Sequence, residues 1–466
     1  MDPRVHRPAI IVTAFVLGLG WAFLLAVAIQ FDSPLLTSGL VVLVSLLLTI
    51  QGIFTLAWML FAWNNPQAVS RHKSPQVYTS PRYAFTALLP ARFEEQVIGE
   101  TIRAIAAIDY PESLKELLVL CRADDTGTIK KAREAIRDLP GKNIKLLTFT
   151  GQPVNKPHSL NIGLRYAGHE LITVFDAEDQ PHRDIYHIVN TLIATEGVDV
   201  VQSGVQLMNF KSHWFSALNV MEYFFWFKSG LQFFSRKFGV TPLGGNTVFF
   251  KKSQLLKIGG WDENCLTEDA DVGFRLVQAG AGLRVVYDEQ HTTREETPVD
   301  TLSFIRQRTR WDQGFLQVLS KGCWAGLPRV NQRFLAFYIL ALPLLQLLIF
   351  VYLPFGVWIA FSHKLPDLIS LLSVLPLYIL FLQIVTYIIG LYEFTVSYKL
   401  KFPWWMPLKV VLTFIPYQLL LIISASRAVL HQLRGLNLWE KTVHVNAHRQ
   451  VNSLFSPQAY AQEISA

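Results

Sequence analysis

E-L-I-T-V-F-D-A-E-D-Q-P, residues 170–181, decides how the middle of this chain is read. Apolar and β-branched residues fill 171–175 and stop at Asp176, after which Asp176, Glu178 and Asp179 place three carboxylates within four positions. A short apolar run bounded by charge reads as a buried strand. The charge at its end has two readings: a solvated acidic turn, or a place where a cation belongs.

Working outward, strand-like and helix-like pieces alternate. Segments 83–89, 116–121, 144–149, 171–175 and 198–207 read as strands, and 94–108, 128–137, 159–167 and 185–194 as helices. Such alternation implies crossover units and a mostly parallel sheet covered on both faces. Ligands of such sheets bind beyond the carboxyl ends of the strands. Asp176 lies at one such end, and the Asp124-Asp125 pair lies just past another.

The ends of the chain differ from its middle. Hydrophobic residues make up 51% of the 466 positions and charged residues 17%, against a usual quarter charged. The apolar excess sits in stretches 10–30, 35–63, 334–361, 369–392 and 406–430. Each is long enough to cross a hydrocarbon core of about 30 Å. The first is too long for a secretory signal and is followed at once by a second span. Arg4 and Arg7 precede the first span, and Arg71, Lys73 and Arg82 follow the second, which places the N-terminus and the middle in the cytosol. The basic tail (Arg427, His431, Arg434, Lys441, His444, Arg449) also favours the cytosol, yet five spans put it outside. Either one stretch is re-entrant or interfacial, or the charge rule fails there.

The expected organisation is two N-terminal membrane helices (1–66), a cytosolic domain (67–315) with an aromatic interfacial helix near 212–238, an interfacial segment (316–333), C-terminal membrane helices (334–432) and a basic tail (433–466). Cys121, Cys265 and Cys323 show neither metal-ligand spacing nor a disulfide pattern, in keeping with a reducing compartment. The net charge of +7 is spread along the chain and does not imply nucleic acid; anionic lipid headgroups account for it.

Four further pieces carry chemistry. N-K-P-H-S-L-N (155–161) offers Lys156 to a phosphate, though a lone lysine is usually just exposed. P-L-G-G-N-T (242–247) lets backbone approach a ligand, or forms only a turn. G-G-W-D-E-N-C-L-T-E-D-A-D (259–271) holds five carboxylates, of which Glu268 and Asp269 either act chemically or merely favour a helix N-terminus. Q-R-T-R-W (307–311) offers Arg310 to a phosphate and Trp311 to a sugar face or a membrane interface.

The ordered set D-A-x-D, T-E-D and Q-x-x-R-W, set between membrane segments, resembles the membrane-embedded family 2 glycosyltransferases, which include cellulose, chitin and hyaluronan synthases. P-A-R-F-E-E (90–95), T-R-E-E-T-P (293–298) and L-W-E-K-T-V-H (438–444) extend the likeness. The resemblance implies a GT-A-like nucleotide-sugar domain inserted between transmembrane helices. It implies that Pro90, Glu94 and Asp124 or Asp125 contact the nucleoside and that Lys156 approaches the diphosphate. Asp176 with Glu178 or Asp179 would hold Mg²⁺ or Mn²⁺. Asp269, beside Glu268, would be the general base, and Gln307, Arg310 and Trp311 would bind the leaving group and form the acceptor entrance. Three departures stand out: D-A-E-D for D-x-D, Phe93 for the usual Asn, and R-A-D-D-T for D-D-G-S.

The expected activity is inverting transfer from a nucleotide sugar, UDP-glucose or UDP-N-acetylglucosamine, at the plasma (inner) membrane. A β-linked polysaccharide exported through the enzyme's own spans is the first expectation, and a glycolipid made on a lipid acceptor the alternative. Regulation or export is expected from an accessory subunit or from lipid. A degenerate, non-enzymatic scaffold is disfavoured by the joint presence of Asp176, Asp269 and Arg310, and no G-x-x-x-x-G-K-S/T phosphate loop occurs.

Overall fold

The structure, a computed structural model, describes residues 34–349, 352, 367–437, 439, 440, 442 and 444–449. The stretch 10–30 and the tail past 449 lie outside the described residues, and the stretch 334–361 is described only in part.

The acidic turn follows a strand, as expected. Strand β4 (Leu171–Val174) is buried at all four positions and pairs in parallel with β1 (Phe85–Ala91), which pairs in parallel with β2 (Lys115–Arg122) and through it with β3 (Ile144–Phe149). Side chains alternate between faces. Phe85, Ala87, Leu89, Val119 and Cys121 pack under α2 (Ile98–Ala106), α3 (Thr126–Arg137) and α5 (Ile185–Glu196). Leu88, Leu118, Leu120, Ile172 and Val174 pack under α4 (Lys156–Tyr166) and α8 (Glu268–Gln278). Each such leucine or isoleucine contributes roughly 1.5–3 kcal/mol by leaving water. The expected α/β layering with helices on both faces is therefore present.

Three features of the sheet depart from the expected pattern. Strand β7 (Val248–Lys251) is antiparallel and sits between β4 and β5 (Val200–Gln202), while β8 (Leu283–Val285) pairs with β5 in parallel, giving the order β3-β2-β1-β4-β7-β5-β8. The single strand expected at 198–207 divides at Ser203-Gly204. Its second half, β6 (Val205–Leu207), leaves the main sheet and pairs with β9 (Thr293–Glu295). Strand β1 also runs through Pro90 rather than ending there. Pro90 lies on the β4 side, two residues past the last β1–β4 pair, Leu88↔Val174, so its missing N–H costs no ladder bond.

Among the described residues, three helices are long and apolar enough to cross a membrane: residues 38–59 of α1 (Pro34–Met59), the stretch Asp367–Ser397, which contains α11 (Leu375–Ser397), and α12 (Met406–Leu433). A fourth candidate is a pair bent by 55°, α10 (Val330–Leu340) followed by Leu342–Ile349, which has the form of a broken span or a re-entrant loop. That bend falls in one of the stretches that made the tail's side ambiguous.

The aromatic segment forms α6 (Ser216–Phe225), a π-turn (Trp226–Gly230) and α7 (Leu231–Phe238). Its rings are largely buried. Phe224 and Phe225 join Leu391 and Phe394 of α11 and Val410, Phe414 and Tyr417 of α12 in one cluster. Lys228 in the π-turn donates at 2.7 Å both to Glu289 of the α/β domain and to Glu393 of α11, tying domain to span. The long helix α9 (Thr301–Lys321) packs along α12 and carries the Q-R-T-R-W stretch. All three cysteines are unpaired.

Candidate active site

The site assembles where four chain segments meet beyond the carboxyl ends of β1 and β4. Asn155 caps α4 by accepting the His158 N–H at 3.0 Å, which fixes Lys156 at the first position of the helix. Lys156 Nζ donates to the Asp176 carboxylate and, at 2.9 Å, to the Gly245 carbonyl. A Cβ on Gly245 would lie 3.2 Å from Asp269 Oδ2 and 3.3 Å from Lys156 Nζ. Gly245 therefore lets the backbone pack closely against the Lys156 and Asp269 side chains.

The loop before α8 is pinned to α4. Asn161 donates to the Trp261 carbonyl at 2.8 Å and to Glu263 at 2.9 Å, and His158 meets Glu263 at 2.9 Å. This places Glu268 and Asp269 at the first turn of α8, facing Lys156. Asp269 Oδ1 accepts the Ala270 N–H at 2.8 Å, leaving its other oxygen toward Gly245. Burial pushes Asp269 above the ordinary aspartate range, and burial together with the Asp269 charge pushes Glu268 up to about 8. Burial pulls Lys156 down, but Asp176, Glu268 and Asp269 outweigh it and hold the amine charged.

The acidic turn divides its carboxylates between two roles. Asp176 and Glu178 line the cavity. Asp179 is fully buried behind it, accepting the Asp176 N–H at 2.8 Å and both its oxygens receiving Asn246 Nδ2 at 2.8 and 3.0 Å. Asn246 also donates to Glu295 of β9. Burial and the Glu295 charge push Asp179 well up, and burial with the Asp176 and Glu295 charges does the same to Glu178. The donor set suits a hard divalent ion: Asp176 and Glu178 offer cavity-facing oxygens, and the excess negative charge is what such an ion offsets. A second cluster, His182, Asp184 and His291, has ligand atoms within 4.8 Å of one another but lies outside the cavity lining, and His182 Nδ1 accepts the Asp184 N–H at 3.1 Å.

The aspartate pair after β2 lies beside the cavity, not in its lining. Asp125 is buried, caps α3 through the Thr128 N–H at 3.1 Å and accepts the Phe93 N–H. Phe93 has φ +55°, and this bond holds the 90–95 turn in that conformation. Asp124 is exposed and pairs with Arg122 at 3.2 Å and Arg92 at 3.7 Å. Pro90, Arg92, Phe93, Glu94 and Arg122 line the cavity.

Gln307, Arg310 and Trp311 reach the same cavity from α9. The Arg310 guanidinium lies 4.8 Å over the ring of Trp439. That contact, with His444 at 3.4 Å from Glu178, brings Trp439 and His444 of the 438–444 stretch to the site, a stretch which its likeness alone had left without a role. Sequence reasoning missed Asn246, Glu295, Glu222, Arg308 and Asp312, because their partners lie 49 or more residues away or face a cavity that no local pattern reveals. The cavity, about 1390 Å³, is larger than one ligand needs. It continues from the carboxylates between the candidate membrane helices.

A parallel-centred α/β sheet bearing a lysine, an acidic turn and a T-E-D helix start at its strand ends is the arrangement of a GT-A-like domain. The chain belongs to the family described as Glycosyltransferase like family 2, whose model matches residues 81–314. It is 27% identical to the "Probable glycosyltransferase YdaM" of Bacillus subtilis over 51% of this chain and 56% of that one. It is 26% identical to the "Beta-monoglucosyldiacylglycerol synthase" of Trichormus variabilis over 59% and 61%, and 24% identical to the "Poly-beta-1,6-N-acetyl-D-glucosamine synthase" of Staphylococcus epidermidis over 57% and 62%. The matched part thus spans less than two thirds of each of these relatives. The fold is shared with a mannosyltransferase of Pyrobaculum calidifontis solved with GDP-Man and Mn²⁺, with a TM-score of 0.58 and 19% identity over 84% of this chain and 99% of that one.

Proposed function

We propose that the chain is an inverting glycosyltransferase that takes UDP-glucose or UDP-N-acetylglucosamine in the cytosol and builds a β-linked polysaccharide, passing it between its own membrane helices. The observation that carries this reading is the course of the cavity. From Asp176 and Asp269 it runs on to Gln51 of α1, Gln346 of the bent pair, Gln383 of α11 and Gln418 of α12. Each of these helices thus turns one amide into the same space. Polar side chains in spans are costly and mark the paths of polar substrates.

The chemistry follows from the site. Asp269 takes the proton of the acceptor hydroxyl, and that oxygen attacks the anomeric carbon on the face opposite the diphosphate. The bond to the diphosphate breaks, and UDP departs with the bonding pair. Lys156 and Arg310 supply positive charge where that pair arrives. A divalent ion held by Asp176 and Glu178 would add charge to the same oxygens when bound.

A second reading, transfer of one or a few sugars to a lipid, draws support from the apolar walls that accompany the glutamines, among them Leu345, Ile349, Leu380, Ile415 and Leu419. Purified protein in lipid nanodiscs, given labelled nucleotide sugars with Mg²⁺ or Mn²⁺, separates the two. A high-mass product supports the polysaccharide, and a small organic-extractable product supports the glycolipid.

A further inference from the structure

Along α9, Gln307, Arg308, Arg310, Trp311, Asp312 and Phe315 all line the cavity; Gln307, Arg308, Trp311, Asp312 and Phe315 share one face by their i, i+3, i+4 spacing, and Arg310 flanks it. Arg308 is already committed. It pairs with Glu222 of α6, which also accepts the Tyr417 hydroxyl at 2.6 Å, and its guanidinium lies 4.7 Å over the Trp311 ring. Asp312, one turn further on, is not. Among the described residues, no side chain hydrogen-bonds its carboxyl, and Asp312 is part-buried in the cavity wall. Its neighbours there suggest what it meets.

We propose that Asp312 is an acceptor-binding group, taking hydroxyls of the sugar chain beside the unit that reacts at Asp269. This rests on the polysaccharide reading above and names a residue for it. The diphosphate is an unsuitable partner, because a carboxyl offers it no positive charge and the nearby Arg308 is already paired with Glu222. An acyl chain leaves the carboxyl unsatisfied. A neutral polyhydroxylated ligand fits: burial pushes the Asp312 carboxyl up to about 8, with Arg308 opposing and Glu222 adding. A carboxyl near its neutral form both donates and accepts, as an array of sugar hydroxyls requires.

The test is binding of β-linked tetrasaccharides of glucose and of N-acetylglucosamine (1,4- and 1,6-linked) to nanodisc protein saturated with UDP and Mg²⁺. Wild type is expected to bind at least one of these, and D312A to bind it about tenfold or more weakly, with UDP affinity unchanged as the control for folding. D312N, which keeps one donor and one acceptor, is expected to fall between them. Binding by D312A equal to wild type would overturn the role of Asp312 and leave the polysaccharide reading standing. Wild type binding none of the tetrasaccharides would overturn both.

Discussion

Gly314 of α9 lies against Thr267 so closely that a Cβ there would come within 2.6 Å of the Thr267 backbone nitrogen. This contact joins the two halves of the site, because Thr267 leads into Glu268 and Asp269 while Gly314 follows Arg310 and Trp311 by one turn. Backbone cannot yield as a flexible side chain does. Gly314→Ala is therefore expected to push α9 from the T-E-D turn, cost roughly 1–3 kcal/mol and reduce transfer more than its stability loss explains. Thermal unfolding and turnover measured on the same preparation check this.

Asp269→Asn should leave UDP affinity nearly intact while transfer falls about 10²–10⁴-fold. The base acts deprotonated, and its pKa is raised by burial. The rate should therefore fall as pH drops, along a limb lying above the ordinary aspartate value of about 3.9. A pH profile of kcat/KM reads this limb, and turnover by the Asn variant close to that of wild type would remove Asp269 from the role.

Asp176→Ala should abolish the part of UDP binding that depends on Mn²⁺ or Mg²⁺, whereas Asp179→Asn should act through the fold. Asp179 touches Asn246 and the Asp176 amide rather than the cavity. Calorimetric UDP titrations with and without metal distinguish the two. Unchanged metal-dependent binding in Asp176→Ala would return the turn to its bland reading.

Lys321 bridges Asp262 and, at 3.1 Å, the buried Asp271. Burial raises Asp262, but its bond to Lys321 outweighs this and holds the carboxyl below its ordinary value. A depressed folded pKa contributes stability that is present above the unfolded value and lost as pH falls through the folded one. Lys321→Met should therefore lower the melting temperature at pH 7, by a loss of roughly 1–3 kcal/mol. It should also remove the extra loss that wild type shows below about pH 4.

The main architecture could be read from the sequence because its signals are local. A fully buried strand shows as an apolar run, so β4 and the charge at its end were visible in 171–179. The antiparallel β7 was not, since Val248–Lys251 is four residues long and its place between β4 and β5 depends on pairs 46 or more residues apart. The same holds within the site. The spacing of Asp176, Glu178 and Asp179 could not say which carboxylate turns inward. That choice is made by Asn246, which pulls Asp179 away from the cavity. Asp124 or Asp125 likewise read as a nucleoside contact; in the structure Asp125 caps α3 and anchors Phe93, and a cap and a binding carboxylate look alike at a strand end.

The most direct test of the central claim is product analysis with the protein in sealed proteoliposomes, catalytic domain outward, supplied with labelled UDP-glucose or UDP-N-acetylglucosamine and Mg²⁺. The account predicts label in a high-mass, β-glycosidase-sensitive product protected inside the vesicles. UDP binding without incorporation from either donor, or label confined to a small organic-extractable product, would contradict it.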